Sequence, residues 1–174
     1  MNIPNALSVL RLALVPVFAL VFFSDAPNAY YWAGFIFFFA GVTDIADGYI
    51  ARKYNQITRL GRILDPLADK LMQVTAFVCL AIADIIPAWV ILILVAKELT
   101  LLAGSTVVFN KVKDVPPSNQ YGKAASFVFF LITISVIAFP MPDLLKYLLL
   151  IGGLLLSILA LVMYIRLGRR YIEK

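Results

Sequence analysis

The sequence has no histidine, a single cysteine and few charges for its 174 residues, with Asp, Glu, Lys and Arg together making 14%. Without histidine, imidazole serves neither as metal ligand nor as general base, and proton transfer falls to carboxylates, lysine, tyrosine or water. The lone Cys79 lies inside an apolar run, cannot form an internal disulfide and reads as a packing residue. The first apolar run has neither a basic segment ahead of it nor an A-x-A cleavage site behind it, so it is expected to be retained as a helix. Internal repeats, low-complexity tracts and base-binding modules are also missing, so no nucleic-acid partner is expected.

What fills the chain instead is hydrocarbon: 63% of the residues are hydrophobic and the mean hydropathy is +0.94. That composition belongs to a bilayer protein, and this length gives room for about six spans of roughly 20 residues with short connections. Apolar runs fall at 7–23, 30–50, 67–84, 86–109, 124–139 and 144–165. The expected fold is therefore all-α, a polytopic membrane protein with six transmembrane helices forming a single domain over 1–174. Between Lys111 and Gly122, Pro116-Pro117 and Asn119 argue for a loop. Gly152-Gly153 in the last run would let another helix approach closely, within this chain or at a dimer interface.

Basic residues alternate by side along the chain. Arg11 precedes a turn at 24–30 without any; Arg52, Lys53, Arg59, Arg62 and Lys70 follow; the turn at 84–87 again has none; Lys111, Lys113 and Lys123 come next, the turn at 139–146 has only Lys146, and Arg166, Arg169, Arg170 and Lys174 complete the pattern. The positive-inside rule then sets both termini in the cytoplasm of a multi-pass inner-membrane protein. The net charge of +5 becomes a cytoplasmic collar suited to anionic lipid headgroups and phosphate-bearing substrates. Tyr30, Tyr31, Trp32 and Trp89 fall where an outer aromatic belt anchors a membrane protein.

Against this background one stretch stands apart: residues 44–70, DIADGYIARKYNQITRLGRILDPLADK, hold four aspartates and five basic residues. Asp44 and Asp47, three apart, share a face at the end of the second helix; Asp65 and Asp69, four apart, share one at the start of the third, where Pro66 opens or kinks that helix. The candidate active site is therefore at the cytoplasmic ends of the second and third helices. Four ionised carboxylates drawn together in a partly desolvated site repel one another and need compensating positive charge. Neighbouring Arg52, Arg59, Arg62 and Lys70 could supply it as a solvated charged loop. The alternative is metal: all-oxygen ligation without Cys or His selects Mg²⁺ or Mn²⁺, and four aspartates suit a pair of ions serving phosphoryl chemistry. Gly48, directly after Asp47, and Gly61, four before Asp65, remove side chains where a ligand or a facing helix needs close approach.

The pattern Asp44-x-x-Asp47-Gly48-x-x-Ala51-Arg52, eight residues, then Gly61-x-x-x-Asp65-x-x-x-Asp69 resembles the signature of the CDP-alcohol phosphotransferase family. The six-helix layout resembles that family over essentially the whole chain. The resemblance implies transfer of a phosphatidyl or similar group from a CDP-linked lipid to an alcohol, with release of CMP, two divalent metals and no covalent intermediate. It also implies a homodimer embedded in membrane lipid. By this similarity Asp44, Asp47 and Asp65 are metal ligands, while Asp69 completes the second metal site and acts as general base. Gly48, Ala51, Arg52 and Thr58, with Gly61, match positions that hold the CDP moiety. Small residues there would admit the nucleotide, and Arg52 could grip a diphosphate through its bidentate fork.

The acceptor alcohol must be read elsewhere. MNIPNALSVLR at the N-terminus and LDPLADK at 64–70 resemble bacterial phosphatidylglycerophosphate synthases, which implies CDP-diacylglycerol as donor and glycerol 3-phosphate as acceptor. On that reading Asn5, Ser8 and Arg11 lie beside the cavity; otherwise they cap and anchor the first helix. A dianionic acceptor needs further cations, for which Arg62, Lys97 and Lys123 are candidates. Lys97, near the middle of an apolar run, is expected to face a cavity or a partner. Where those synthases carry Ala-Arg-Glu, this chain has Ala96-Lys97-Glu98. Cardiolipin synthases of the same family, with phosphatidylglycerol as acceptor, resemble it in DPLADK and IADIIPAW; inositol-phosphate transfer is a more distant possibility. From another class, paired carboxylates alone would also suit a small divalent-metal carrier or channel, which would have no need of the Gly-x-x-Ala-Arg spacing or Thr58.

Overall fold

The computed structural model describes residues 2–54, 58, 61–97, 99–100 and 120–172, apart from the side chains of 52, 62–63, 120–123, 164 and 167–172. Six helices run through these residues: α1 (Ile3–Phe22), α2 (Ala29–Lys53), α3 (Gly61–Ile82), α4 (Ala88–Lys97), α5 (Gln120–Ala138) and α6 (Asp143–Ile172), and no strand occurs among them. Three stretches, Ile3–Phe22, Ala29–Ala51 and Asp143–Met163, are long and apolar enough to cross a membrane; Ala88–Lys97 and Ala124–Ala138 are shorter apolar segments.

Local chemistry explains where the helices start and stop. Pro4 sits in the first turn of α1, where its missing N–H costs nothing because that position has no intrahelical acceptor. Asn28, with φ 62°, closes the turn before α2, and its carbonyl accepts from Trp32 N–H at 3.1 Å. Asparagine tolerates this left-handed conformation better than most side chains. Asp84, with φ 54°, does the same after α3, where Ile85 and Ile86 N–H both turn back to the Leu80 carbonyl at 2.9 and 3.3 Å.

Two boundaries differ from the sequence expectation. The third helix begins at Gly61 rather than near 67, so Pro66 lies inside it and does not open it. The connection expected to run to Gly122 gives way to helix at Gln120; Pro116, Pro117 and Asn119 lie outside the described residues.

The chain divides into two compact units. In the first, Met1–Ala88 with Ile137–Phe139, α1 packs against both α2 and α3. Phe18 and Phe22 of α1 meet Phe37 and Tyr30 of α2 with ring centroids 6.2 and 5.0 Å apart, and Ala68, Met72, Ala76 and Phe77 bury the inner face of α3. Cys79 is buried there as a packing residue. In the second unit, Trp89–Val136 with Pro140–Lys174, Gly153 of α6 meets α5: a methyl group built on it would lie 2.7 Å from the Phe129 ring, whereas one on Gly152 would meet nothing within 4 Å. Gly153 thus serves packing within the chain.

Outward surfaces are apolar as well: Leu20, Trp32, Phe35, Ile82, Leu148 and Leu155 are all more than half exposed. Apolar residues both inside and outside are the pattern of a protein whose solvent is lipid.

Candidate active site

Asn5, Ser8 and Arg11 of α1 lie three residues apart and so share one face of the helix. All three are buried, and a buried polar group must find a partner or forfeit the free energy of its lost hydration. Each finds it in the charged segment. Thr58 Oγ1 donates to Asn5 Oδ1 at 2.9 Å, and the Gly61 N–H donates to Thr58 Oγ1 at 2.9 Å, which caps the first turn of α3. Ser8 Oγ lies 3.0 Å from the Pro4 carbonyl and also reaches Asp65 Oδ1, so its one proton serves two acceptors. The Arg11 guanidinium forks, donating from Nη1 to Asp44 Oδ1 and from Nη2 to Asp47 Oδ2, both at 2.5 Å. One stripe of α1 therefore holds the start of α3 and both aspartates of α2.

Burial is graded across this cluster. Arg11 is 1% and Asp47 2% exposed, whereas Asp44 is 42% exposed. Asp44 and Asp65 both repel the Asp47 carboxylate, while Arg11 attracts it. Among the described residues Arg11 Nε is buried without a hydrogen-bond partner, and a fully desolvated donor left so costs about 1–3 kcal/mol. One guanidinium pairs with Asp44 and Asp47 while the Asp65 carboxylate also acts on Asp47, so the described side chains around Asp47 carry more negative than positive charge.

Gly61 has a steric reason to lack a side chain. A Cβ there would stand 2.9 Å from Asn5 Oδ1, 3.1 Å from Thr58 Oγ1 and 3.7 Å from Asp65 Oδ2, so α1 could not come as close to the start of α3. Gly48 and Ala51 sit in the last two turns of α2, partly exposed, on the same helix end as Asp44 and Asp47. Asp69, one turn beyond Asp65, is about half exposed, its carboxylate 3.9 Å from the Lys70 ammonium. Lys97 lies in α4, in the other compact unit. The side chains of Arg52, Arg62 and Lys123 fall outside the described residues. The sequence suggested Asn5, Ser8 and Arg11 as cavity-lining or anchoring residues; their contacts are with the aspartate segment itself. The signal was present in the three-residue spacing of polar side chains along an apolar helix, each of which must find a polar partner.

The donor set suits a hard divalent cation, being carboxylates and hydroxyls without nitrogen or sulfur. The cluster is also built around positive charge, since a guanidinium already stands between two of its acids. Among the described residues no three ligating side chains are gathered at metal-ligand spacing, so metal binding would require the carboxylates to turn toward a common centre.

Residues 1–164 match the family model described as CDP-alcohol phosphatidyltransferase. The chain belongs to the CDP-alcohol phosphatidyltransferase family, and with three helices apolar enough to span a bilayer it is a membrane protein. It is 39% identical over 130 residues to the cardiolipin synthase (CMP-forming) of Streptomyces coelicolor, a match covering 73% of this chain and 60% of that protein. It is 34% identical over 160 residues to the CDP-diacylglycerol--glycerol-3-phosphate 3-phosphatidyltransferase of Rickettsia bellii, covering 91% and 87% respectively. The protein of the same name from Bacillus subtilis is 33% identical over 134 residues, covering 70% and 69%. The chain thus spans less than two thirds of the length of the relatives it matches at 39–40% identity.

Proposed function

We propose that this chain, as one catalytic membrane domain, transfers the phosphatidyl group of CDP-diacylglycerol to glycerol 3-phosphate, yielding phosphatidylglycerophosphate and CMP. The observation that carries the reading is the aspartate signature of the matched family, three of whose acids lie against one buried stripe of α1. Relatives that bear the glycerol 3-phosphate transferase name support the acceptor, one of them over 91% of this chain.

In chemical terms, the acceptor hydroxyl oxygen attacks the phosphorus that carries the diacylglycerol. A new P–O bond forms, the P–O bond to CMP breaks, and CMP departs with that electron pair. Two Mg²⁺ or Mn²⁺ ions, held by Asp44, Asp47, Asp65 and Asp69, would offset the charge that builds on the diphosphate. Asp69, the most open of the site's described acids, takes the hydroxyl proton on its carboxylate. Ser8 holds Asp65 against α1, and the Arg11 fork ties Asp44 and Asp47 to the same helix. Gly48, Ala51, Arg52, Thr58 and Gly61 border the CDP moiety, and Arg62, Lys97 and Lys123 are candidates for the acceptor phosphate. The reaction runs at the cytoplasmic face of an inner membrane, so that acyl tails stay in lipid, in a protein that works as a homodimer with both termini in the cytoplasm.

A second reading, cardiolipin synthesis with phosphatidylglycerol as acceptor, is favoured by the 39% identity to the Streptomyces enzyme. Mass spectrometry of the lipid product separates the two. Purified protein in detergent is given CDP-diacylglycerol and Mg²⁺ or Mn²⁺, with glycerol 3-phosphate, phosphatidylglycerol, inositol phosphate or no acceptor. Phosphatidylglycerophosphate formed only with glycerol 3-phosphate is the expected result. Cardiolipin formed from phosphatidylglycerol would keep the reaction class and change the acceptor. No product with any acceptor would overturn the reading.

A further inference from the structure

Arg11 occupies the carboxylates that a metal ion would need. Its two terminal nitrogens take one oxygen each from Asp44 and Asp47, and the side chain that does so is 1% exposed. Meanwhile the acids are not gathered at metal-ligand spacing among the described residues. A divalent cation and a guanidinium draw on the same oxygen lone pairs, so each weakens the other's hold.

We propose that Arg11 is the resident counter-ion of the carboxylate cluster, and that its guanidinium and divalent metal compete for Asp44 and Asp47. The inference rests on the metal-dependent reading above. Without any cation, Asp44, Asp47 and Asp65 would repel one another across the junction of α1, α2 and α3, and the buried Asp47 would be left uncompensated. A cation attached to α1 keeps the site assembled when no metal is bound. The same attachment lowers metal affinity, because entering metal must displace the fork. Asp44, 42% exposed, is where displacement starts, since water can replace the guanidinium there. Arg11 Nε, buried and without a hydrogen-bond partner among the described residues, is donor capacity that the Asp44 and Asp47 pairs do not use. A released fork therefore has a binding mode for another acceptor, and a phosphate oxygen suits its planar donor array. Lysine in its place would hold one acid as a single point charge and could not span two.

The test is Mn²⁺ binding, read from the electron paramagnetic resonance of free Mn²⁺, beside thermal unfolding with and without Mn²⁺. Purified wild-type protein, Arg11→Gln and Arg11→Lys are compared in detergent. The expected result is that Arg11→Gln binds Mn²⁺ about tenfold or more tightly than wild type, with Arg11→Lys between them. Arg11→Gln should also unfold at lower temperature than wild type without metal and gain the larger increase from Mn²⁺. A purely structural arginine would give the opposite, a damaged site with weaker binding. Folded variants that bind Mn²⁺ at wild-type strength or more weakly would overturn the proposal, as would variants that stay unfolded with Mn²⁺ present, since the metal should then supply the missing charge. Absence of Mn²⁺ binding in wild type as well would remove the metal-dependent reading itself, an outcome distinct from equal binding by wild type and variants.

Discussion

Ser8 shows how much of this site depends on small side chains of α1. Its hydroxyl is wholly buried and reaches the Asp65 carboxylate, and no other described side chain is seen to hold that acid's rotamer. Ser8→Ala should cost about 1.5–3 kcal/mol of stability, the range for a hydrogen bond to a charged partner, and should lower CMP release by letting Asp65 rotate. Unfolding in detergent with a CMP assay checks both, and unchanged values would show that Asp65 is held by something else. At this scale the grouping of Asp44, Asp47 and Asp65 was legible in the sequence, because carboxylates at helical spacing at the ends of apolar runs have few other uses. The partners of Asn5, Ser8 and Arg11 were not. Helical spacing tells which residues share a face but not which helix lies opposite, and the residues they meet are more than 30 positions away.

Among the elements, α3 differs most from what its sequence suggested. Gly61 to Leu64 precede the expected apolar run, and Pro66 was expected to open or to kink the helix, because apolar periodicity becomes clear only after it. What starts the helix earlier is tertiary: Asn5 holds Thr58, and Thr58 caps the Gly61 N–H. The glycine is required because α1 comes within side-chain reach of the backbone there. Gly61→Ala should push the Asn5 amide and the Thr58 hydroxyl apart, costing about 1–3 kcal/mol as overpacking does. It should also fray the first turn of α3, visible as faster amide exchange at 61–64 than in wild type. Unchanged exchange would mean that α1 yields without loss. Helices α1, α2 and α6, by contrast, lie close to their expected runs, since each is an unbroken apolar stretch bounded by turn residues.

For the whole molecule, the sequence expectation of an all-helical membrane protein agrees with six helices among the described residues, three of them long and apolar enough to span. Hydrophobicity fixes that much, because only helices satisfy every backbone group locally in lipid. The proposed topology is open to a direct check, since the chain has one cysteine and that one is buried. In a Cys79→Ala background, Asp25→Cys in the turn after α1 should react with a membrane-impermeant maleimide on intact cells. Tyr54→Cys at the end of α2 should react only after permeabilisation; the reverse pattern would invert the orientation. That orientation puts the aspartate end of α2 on the side where a soluble phosphorylated acceptor is available.

CMP release from CDP-diacylglycerol joins these scales in one measurement. Wild type, Asp65→Ala and Asp69→Asn are assayed with and without glycerol 3-phosphate and with and without Mg²⁺ or Mn²⁺. The expected result is release by wild type only when acceptor and metal are both present, and loss of release in both variants, with Asp69→Asn still folded and binding CDP-diacylglycerol. Release that persists in Asp69→Asn, or that needs neither acceptor nor metal in wild type, would contradict the proposed transfer chemistry at this aspartate site.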